Sequence, residues 1–295
     1  MEREYIIATA STADLPLAYC REHGIPFIPY TYSLDGVEYK DDLTDESRAA
    51  LFSAMRVGKQ PKTAAISIEE YYQFFKELME TGKDVLFTDM SRAISSSITH
   101  AEQAAEKIQK EYPDRRFIFL DSFCVTGGLG LLVKQLVQRH EAGESLESVA
   151  AWGEAHKLEY VHRFMVEDLQ WLKRGGRLSN ISAVVGTLLS LKPMIYIPQD
   201  GRLVSYGKVQ GRKKCFKALI ASMEKDLDEK SPLEEITVIE ADDRKDAEKF
   251  IRMIRDAYPQ LEHANITITT LGPVIASHVG PDFIGLVYRG KGRAN

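Results

Sequence analysis

Thr63, Ser95 and His278 are the residues whose types and settings suggest chemistry. Ser95 follows a strand-like run, Asp84 to Asp89, and precedes a helical stretch ending near Glu111. Its neighbours Ser96 and Ser97 are small, and backbone N–H groups at a helix start favour an anion. Ser95 by itself reads as an N-cap serine, and Thr63 by itself is a threonine in the expected loop 59–67. Together they form a pair of neutral hydroxyl donors on neighbouring loops, suited to holding one carboxylate. His278 lies between Val274-Ile275-Ala276 and Val279-Gly280-Pro281, where an expected strand meets a tight turn. Alone it reads as a core histidine satisfied by backbone.

Other chemistries fit less well. A serine-dependent acyl hydrolase using Ser95 and His278 is the alternative reading. The elbow glycines of GxSxG are missing, because Ala93 and Ser97 stand in their places, and no third triad member is evident. The seven histidines show no HExxH spacing, and Cys20, Cys124 and Cys215 form no CxxC, so no metal site is expected. There is no GxxxxGK[ST], and Gly128-Leu129-Gly130 lacks the last glycine of a dinucleotide fingerprint. A net charge of -5 argues against a nucleic-acid partner, and the basic stretch Lys208 to Lys214 reads as a solvated helix start.

At 295 residues the chain has room for two domains. From Tyr5 to about Lys157 strands and helices alternate, which predicts a doubly wound, mostly parallel sheet. Expected elements there include a helix from the Ser11-to-Pro16 stretch to about His23, a strand from Pro26 to Leu34, and a hairpin at Asp35-Gly36. Thr44 and Ser145 are expected helix caps, and Ser67 with Glu70 forms a capping box. From Glu159 hairpins are more prominent, which predicts an α+β domain with a mixed sheet. Strands are expected at Glu159–Val166, Met194–Ile197, Arg202–Lys208, Glu235–Ile239, Asn265–Thr270, Pro273–His278 and Phe283–Tyr288, with helices at Asp168–Arg174, Arg212–Asp228 and Asp243–Ala257. The fold class is therefore α/β in two domains, 1–157 and 158–295. The stretch Asp168 to Pro193 joins them: Gly175-Gly176 turns the chain, Ala183 to Leu189 allows close backbone approach, and Pro193 ends the run. No membrane span or signal peptide is expected, and a reducing cytoplasm fits the cysteine usage.

In order along the chain, Ser11-Thr12-Ala13-Asp14-Leu15-Pro16, Pro61-Lys62-Thr63, Ile94-Ser95-Ser96-Ser97, the Asp168-to-Ser179 block with Leu191-Lys192-Pro193, and Ser277-His278-Val279-Gly280-Pro281 resemble the motifs of the DegV family of bacterial fatty-acid-binding proteins. The resemblance implies a long-chain fatty acid such as palmitate buried between two domains. Thr63 and Ser95 would hydrogen-bond its carboxylate, with Ser96, His278 and Arg177 near the head group. It implies no catalytic residue, metal or cofactor, a fatty acid kinase as partner, and transient membrane contact. Ile66, Leu188, Leu189 and Ile275 supply apolar material for a tunnel wall. The chain departs from the family pattern at Ala10, Ala64, Ile66, Ser96, Gln210 and Asp282.

Overall fold

The computed structural model describes residues 4–177, 191–227 and 233–293. Expectations for Leu178 to Ser190, including Ser179, Leu188 and Leu189, lie outside the described residues. The first half contains β1 (Tyr5–Ala10), α1 (Leu17–Glu22), β2 (Phe27–Ile28), β3 (Thr31–Leu34), β4 (Val37–Lys40), α2 (Asp45–Arg56) and β5 (Lys62–Ala64). It continues with α3 (Ile68–Glu80), β6 (Asp84–Asp89), α4 (Ser97–Glu111), β7 (Phe117–Asp121), α5 (Gly127–Glu141) and α6 (Leu146–His156). Strands β2-β1-β6-β7 form an all-parallel sheet. Every residue of β6 is buried, as a parallel strand covered on both faces requires. Phe75 of α3 packs on Phe87 and Phe117 at 4.8 and 4.5 Å between ring centroids, while Leu120 lies against Gly153 of α6. Residues 117 and 120 of one strand point to opposite faces, so helices cover both sides and the sheet is doubly wound.

Local chemistry explains most of the boundaries. Thr44 Oγ1 accepts from Ser47 N, Ser145 Oγ from Ser148 N, and Ser67 with Glu70 makes the expected capping box. Asp35 and Gly36 both take positive φ, the conformation a two-residue hairpin turn needs. Three expectations are corrected. Ser11–Ala13 is a 3-10 turn and α1 starts only at Leu17 with Pro16 as its N-cap, because a residue before proline is pushed out of helical geometry. The strand expected over Pro26–Leu34 is two: β2 joins the parallel sheet, and β3 pairs with β4 and β5 in a small antiparallel sheet. The expected loop 59–67 contains β5, since the β3–β4 hairpin offers it an edge, with Thr63 opposite Tyr32.

The second half contains β8 (Tyr160–Met165), α7 (Gln170–Arg174), β9 (Leu191–Tyr196), β10 (Val204–Gln210), α8 (Arg212–Ala221) and β11 (Glu235–Glu240). It ends with α9 (Arg244–Ala257), β12 (Asn265–Thr270), α10 (Pro273–Val279) and β13 (Ile284–Arg289). The sheet order is β10-β9-β8-β13-β11-β12, antiparallel except for β11 with β12, and so mixed. Pro193 does not precede the strand but sits within β9. The β8 ladder reaches only Met194, so no N–H is needed from Pro193 on that side. The helix expected to reach Asp228 ends at Ala221, with a 3-10 turn at Glu224–Asp226. Pro273–His278 is a helix, not a strand. Gly272 is its N-cap and Pro273 its first residue, a position where the missing N–H costs nothing.

Alternation along the strands decides what each face of this sheet covers. Val161, Met165, Val238, Ile284 and Leu286 pack with Phe216 of α8 and Phe250 of α9. Phe164, Ile239 and Val287, one position out of step, belong to the core of the first half. Helix α5 touches both sheets, packing on β1 and on β8, β11 and β13. Its glycines make this possible: a Cβ at Gly128 would lie 2.0 Å from His162 Nε2, and one at Gly130 2.7 Å from the Ala13 carbonyl oxygen. The Gly-x-Gly therefore serves close packing.

Candidate functional site

A partly open cavity is lined from both halves of the chain, as small-molecule sites between packed units commonly are. Its wall is mostly apolar and includes Met90, Ile94, Val125, Phe164, Leu172, Leu203, Ile239, Val274, Ile275 and Phe283. Thr63, Ser95, Arg177 and His278 all line it, so the fold brings together four residues spread over more than 200 positions of sequence. Ser96 does not line it; it is the exposed N-cap of α4. Of the apolar residues singled out in sequence, Ile275 lines the cavity, whereas Ile66 is buried elsewhere.

Pairing of β5 with β3 fixes Thr63 at the cavity edge, beside the exposed Ala64 and Ala65. Ser95 is held by a turn in which Ser91 O accepts from Ile94 N and Ser95 N, at 2.9 and 3.3 Å. Its Oγ accepts from Ser97 N at 3.2 Å. Ser95 is thus not the N-cap, which is Ser96, but it accepts the first helical N–H from just upstream, and its own O–H remains a donor for the cavity.

His278 sits at the end of α10 rather than at a strand end. Its Nε2 lies 2.8 Å from Thr63 Oγ1, and its buried Nδ1 has no hydrogen-bond partner. Burial, helped by the nearby Arg177 charge, lowers its pKa to about 4, so the ring is neutral at neutral pH. A buried N–H without an acceptor is rare. The network therefore assigns the proton to Nε2, which donates to Thr63 Oγ1 and leaves the threonine O–H to donate into the cavity. Arg177 is half-buried, with Nη1 donating to Gly175 O at 2.7 Å. Two hydroxyl donors and one guanidinium line a mostly apolar cavity, an arrangement suited to an anionic group joined to an apolar body.

The geometry gives no hydrolytic triad. His278 Nε2 bonds Thr63 rather than Ser95, and nothing orients Nδ1. Among the described residues no cluster of three metal-ligating side chains occurs, and no helix is long and apolar enough to cross a membrane. In the basic stretch, Arg212 is engaged by Asp243, Asp246 and Glu167 and packs as a half-buried ion network. Sequence reasoning missed Tyr30 and His162 in the wall. Tyr30 enters because the chain switches sheets beside it, and its hydroxyl is held by Asp89 and Tyr71. His162 is fixed by the Tyr160 carbonyl and by Val125 N–H, and burial holds it neutral. Strand alternation around Phe164 was the one signal that could have found it.

Comparison with known proteins agrees with this architecture. The DegV family model, described as an uncharacterised protein family, matches residues 5–291. A DegV domain-containing protein of Clostridium perfringens is 32% identical over 290 residues, covering 98% of each chain. One from Streptococcus pyogenes is 32% identical over 291 residues, covering 97% of this chain and 98% of its own. A DegV family protein from Thermus thermophilus, reported with fatty acid binding, superposes with a TM-score of 0.82 at 27% identity, covering 97% of this chain and 99% of its own. A stearic-acid-binding protein from Eubacterium ventriosum does so at 0.84 and 26%, covering 97% and 98%. By family match, sequence identity and fold, the chain belongs to the DegV family.

Proposed function

We propose that this protein binds a long-chain fatty acid such as palmitate, with the carboxylate held by Thr63 and Ser95 and the tail in the apolar cavity. The observation that carries this reading is the Thr63–His278 hydrogen bond at the edge of that cavity. The fatty-acid-binding relatives from Thermus thermophilus and Eubacterium ventriosum support the ligand class. Burying about 15 methylenes at ~0.8 kcal/mol each gives a gross term near ~12 kcal/mol. A hydrogen bond to a charged group contributes only ~1.5–3 kcal/mol net. The tail therefore dominates affinity, while the hydroxyls and Arg177 fix its direction and depth. In this reading the division into residues 1–157 and 158–295 brackets the ligand. The protein is a cytoplasmic carrier that collects its ligand by transient membrane contact and presents the carboxylate to a fatty acid kinase. The neutral hydroxyls suit such a role because they hold the carboxylate without reacting with it.

Native mass spectrometry of freshly purified protein, followed by organic extraction, tests the ligand. One long-chain fatty acid per chain is the expected result. A protein that arrives empty and takes up no added palmitate would remove the reading.

A further inference from the structure

Two helix ends meet beside the cavity, and each is cut away to receive the other. Helix α7 closes in a Schellman turn: Arg177 N donates to Leu172 O at 3.0 Å and Gly176 N to Lys173 O at 3.1 Å, with Gly176 at φ 70. Leu172 and Arg177 both line the cavity, and Arg177 Nη1 is held by Gly175 O. Gly175 itself is helical, with φ -74 and ψ -2, a conformation open to any residue. Its restriction comes from a neighbour: a Cβ there would lie 2.1 Å from His278 Nδ1 and 3.2 Å from its Cγ. At the adjacent Gly176 a Cβ would meet nothing within 4 Å, so one glycine serves the turn and the other serves the imidazole. Helix α10 shows the same arrangement in reverse. Its C-cap is Gly280, and a Cβ there would lie 2.2 Å from Trp171 Cδ1. Trp171 of α7 therefore rests on the backbone of Gly280, while His278 of α10 rests on the backbone of Gly175.

We propose that Gly175 and Trp171 are positioning residues for head-group selection: the interlock of α7 with α10 holds His278 on Thr63 and Arg177 at the cavity, so that the site takes an ionised carboxylic acid in preference to a neutral lipid of equal length. Such selection rests on the fatty-acid reading above. With Nε2–H donating to Thr63 Oγ1, the Thr63 and Ser95 hydroxyls and the Arg177 guanidinium are left to donate into the cavity. A carboxylate accepts through both oxygens and carries the complementary charge, whereas an alcohol offers one uncharged oxygen bearing a proton of its own. The preference depends on the donors being held in place. An imidazole moved off Gly175 leaves Thr63 Oγ1 without its 2.8 Å partner, and the threonine proton is then no longer directed. The tail is less affected, because Met90, Val125, Phe164 and Ile239 belong to other elements of the wall.

The test is equilibrium binding of palmitate and of cetyl alcohol to delipidated protein. Wild type is expected to bind palmitate about 10-fold or more tightly than the alcohol. Gly175→Ala places a Cβ against the imidazole in an allowed backbone conformation. It should weaken palmitate by about 10-fold and leave the alcohol nearly unchanged, so that the preference is lost. Equal binding of the two ligands by wild type, an unaltered ratio in Gly175→Ala, or an equal loss for both ligands overturns the proposal. In His278→Ala the added Cβ meets no ring, so Gly175→Ala should cost nothing further there; a second, additive loss of palmitate affinity also overturns it. If Gly175→Ala does not fold, Trp171→Leu removes the other half of the interlock and should lower the same ratio, and an unchanged ratio refutes the positioning role. A wild type that binds neither ligand removes the fatty-acid reading alone. Nitrogen NMR of labelled histidine then decides the interlock: His278 should be protonated on Nε2 in wild type and its signals should move in the variant that folds, whereas identical spectra overturn the proposal.

Discussion

Thr63 has a single hydroxyl proton, and the neutral His278 decides where it goes. With Nε2–H donating to Oγ1, the threonine proton is left for a carboxylate; a protonated imidazole would also donate, but its charge is disfavoured by burial and by Arg177. Thr63→Ala and Ser95→Ala should each weaken fatty acid binding by about 10- to 100-fold, the worth of a hydrogen bond to a charged group. Fluorescent-probe displacement checks this, with the unfolding midpoint held near wild type. Thr63→Ser should retain most of the affinity, because it keeps the hydroxyl. The depressed His278 makes a second prediction. Its contribution to stability is intact above the unfolded value of 6.5 and is lost as pH falls toward about 4. His278→Gln should therefore lose less stability than wild type on going from pH 6.5 to 4, read from unfolding midpoints across that interval.

Among the elements, α2 and α3 frame the strand that carries Thr63, and each is fastened by short-range chemistry. Ser67→Ala removes the side-chain acceptor of the α3 capping box, leaving the backbone N–H of residue 67 on Glu70 Oε2, and should cost about 1 kcal/mol in urea denaturation. At the end of α2, Arg56 is bidentate to Asp282 at 2.6 and 2.7 Å and also reaches Asp242 at 2.7 Å. Asp282 is one of the departures from the family pattern and takes positive φ, 63, where glycine is easier. These groups are one-third or more exposed, so Arg56→Ala should cost under about 1 kcal/mol, with the loss shrinking at high salt. The caps and the hairpin turn were legible in sequence because their chemistry spans two to four residues. Helix α10 was not, because a seven-residue apolar run has no period that separates strand from helix. The hydrogen bond from Gly272 N to Asp14, 258 residues away, lies outside any local pattern.

On the scale of the whole molecule, α5 is the shared wall: it packs on β1 of one sheet and on three strands of the other. Gly128→Ala would drive a Cβ into His162 at 2.0 Å, with a ring held by two backbone bonds and no room to turn. We expect a loss of about 1–3 kcal/mol, the usual cost of overpacking, together with weakened ligand binding. Denaturant unfolding and probe titration of the same variant check the two effects. The sequence by itself determined the alternation of strands and helices, the mixed second sheet, the caps, and the ordered motifs that brought Thr63, Ser95, Arg177 and His278 into view. Those features are written in short windows of residue type and period. Tertiary structure alone decided that the four share one cavity, that Ser96 stays outside it, and which face of β8, β11 and β13 forms its wall. It also decided that the glycines of α5 admit a neighbouring sheet. Each of these depends on contacts between segments far apart in the chain, whose register is set by the packing of the whole core rather than by any local run of residues.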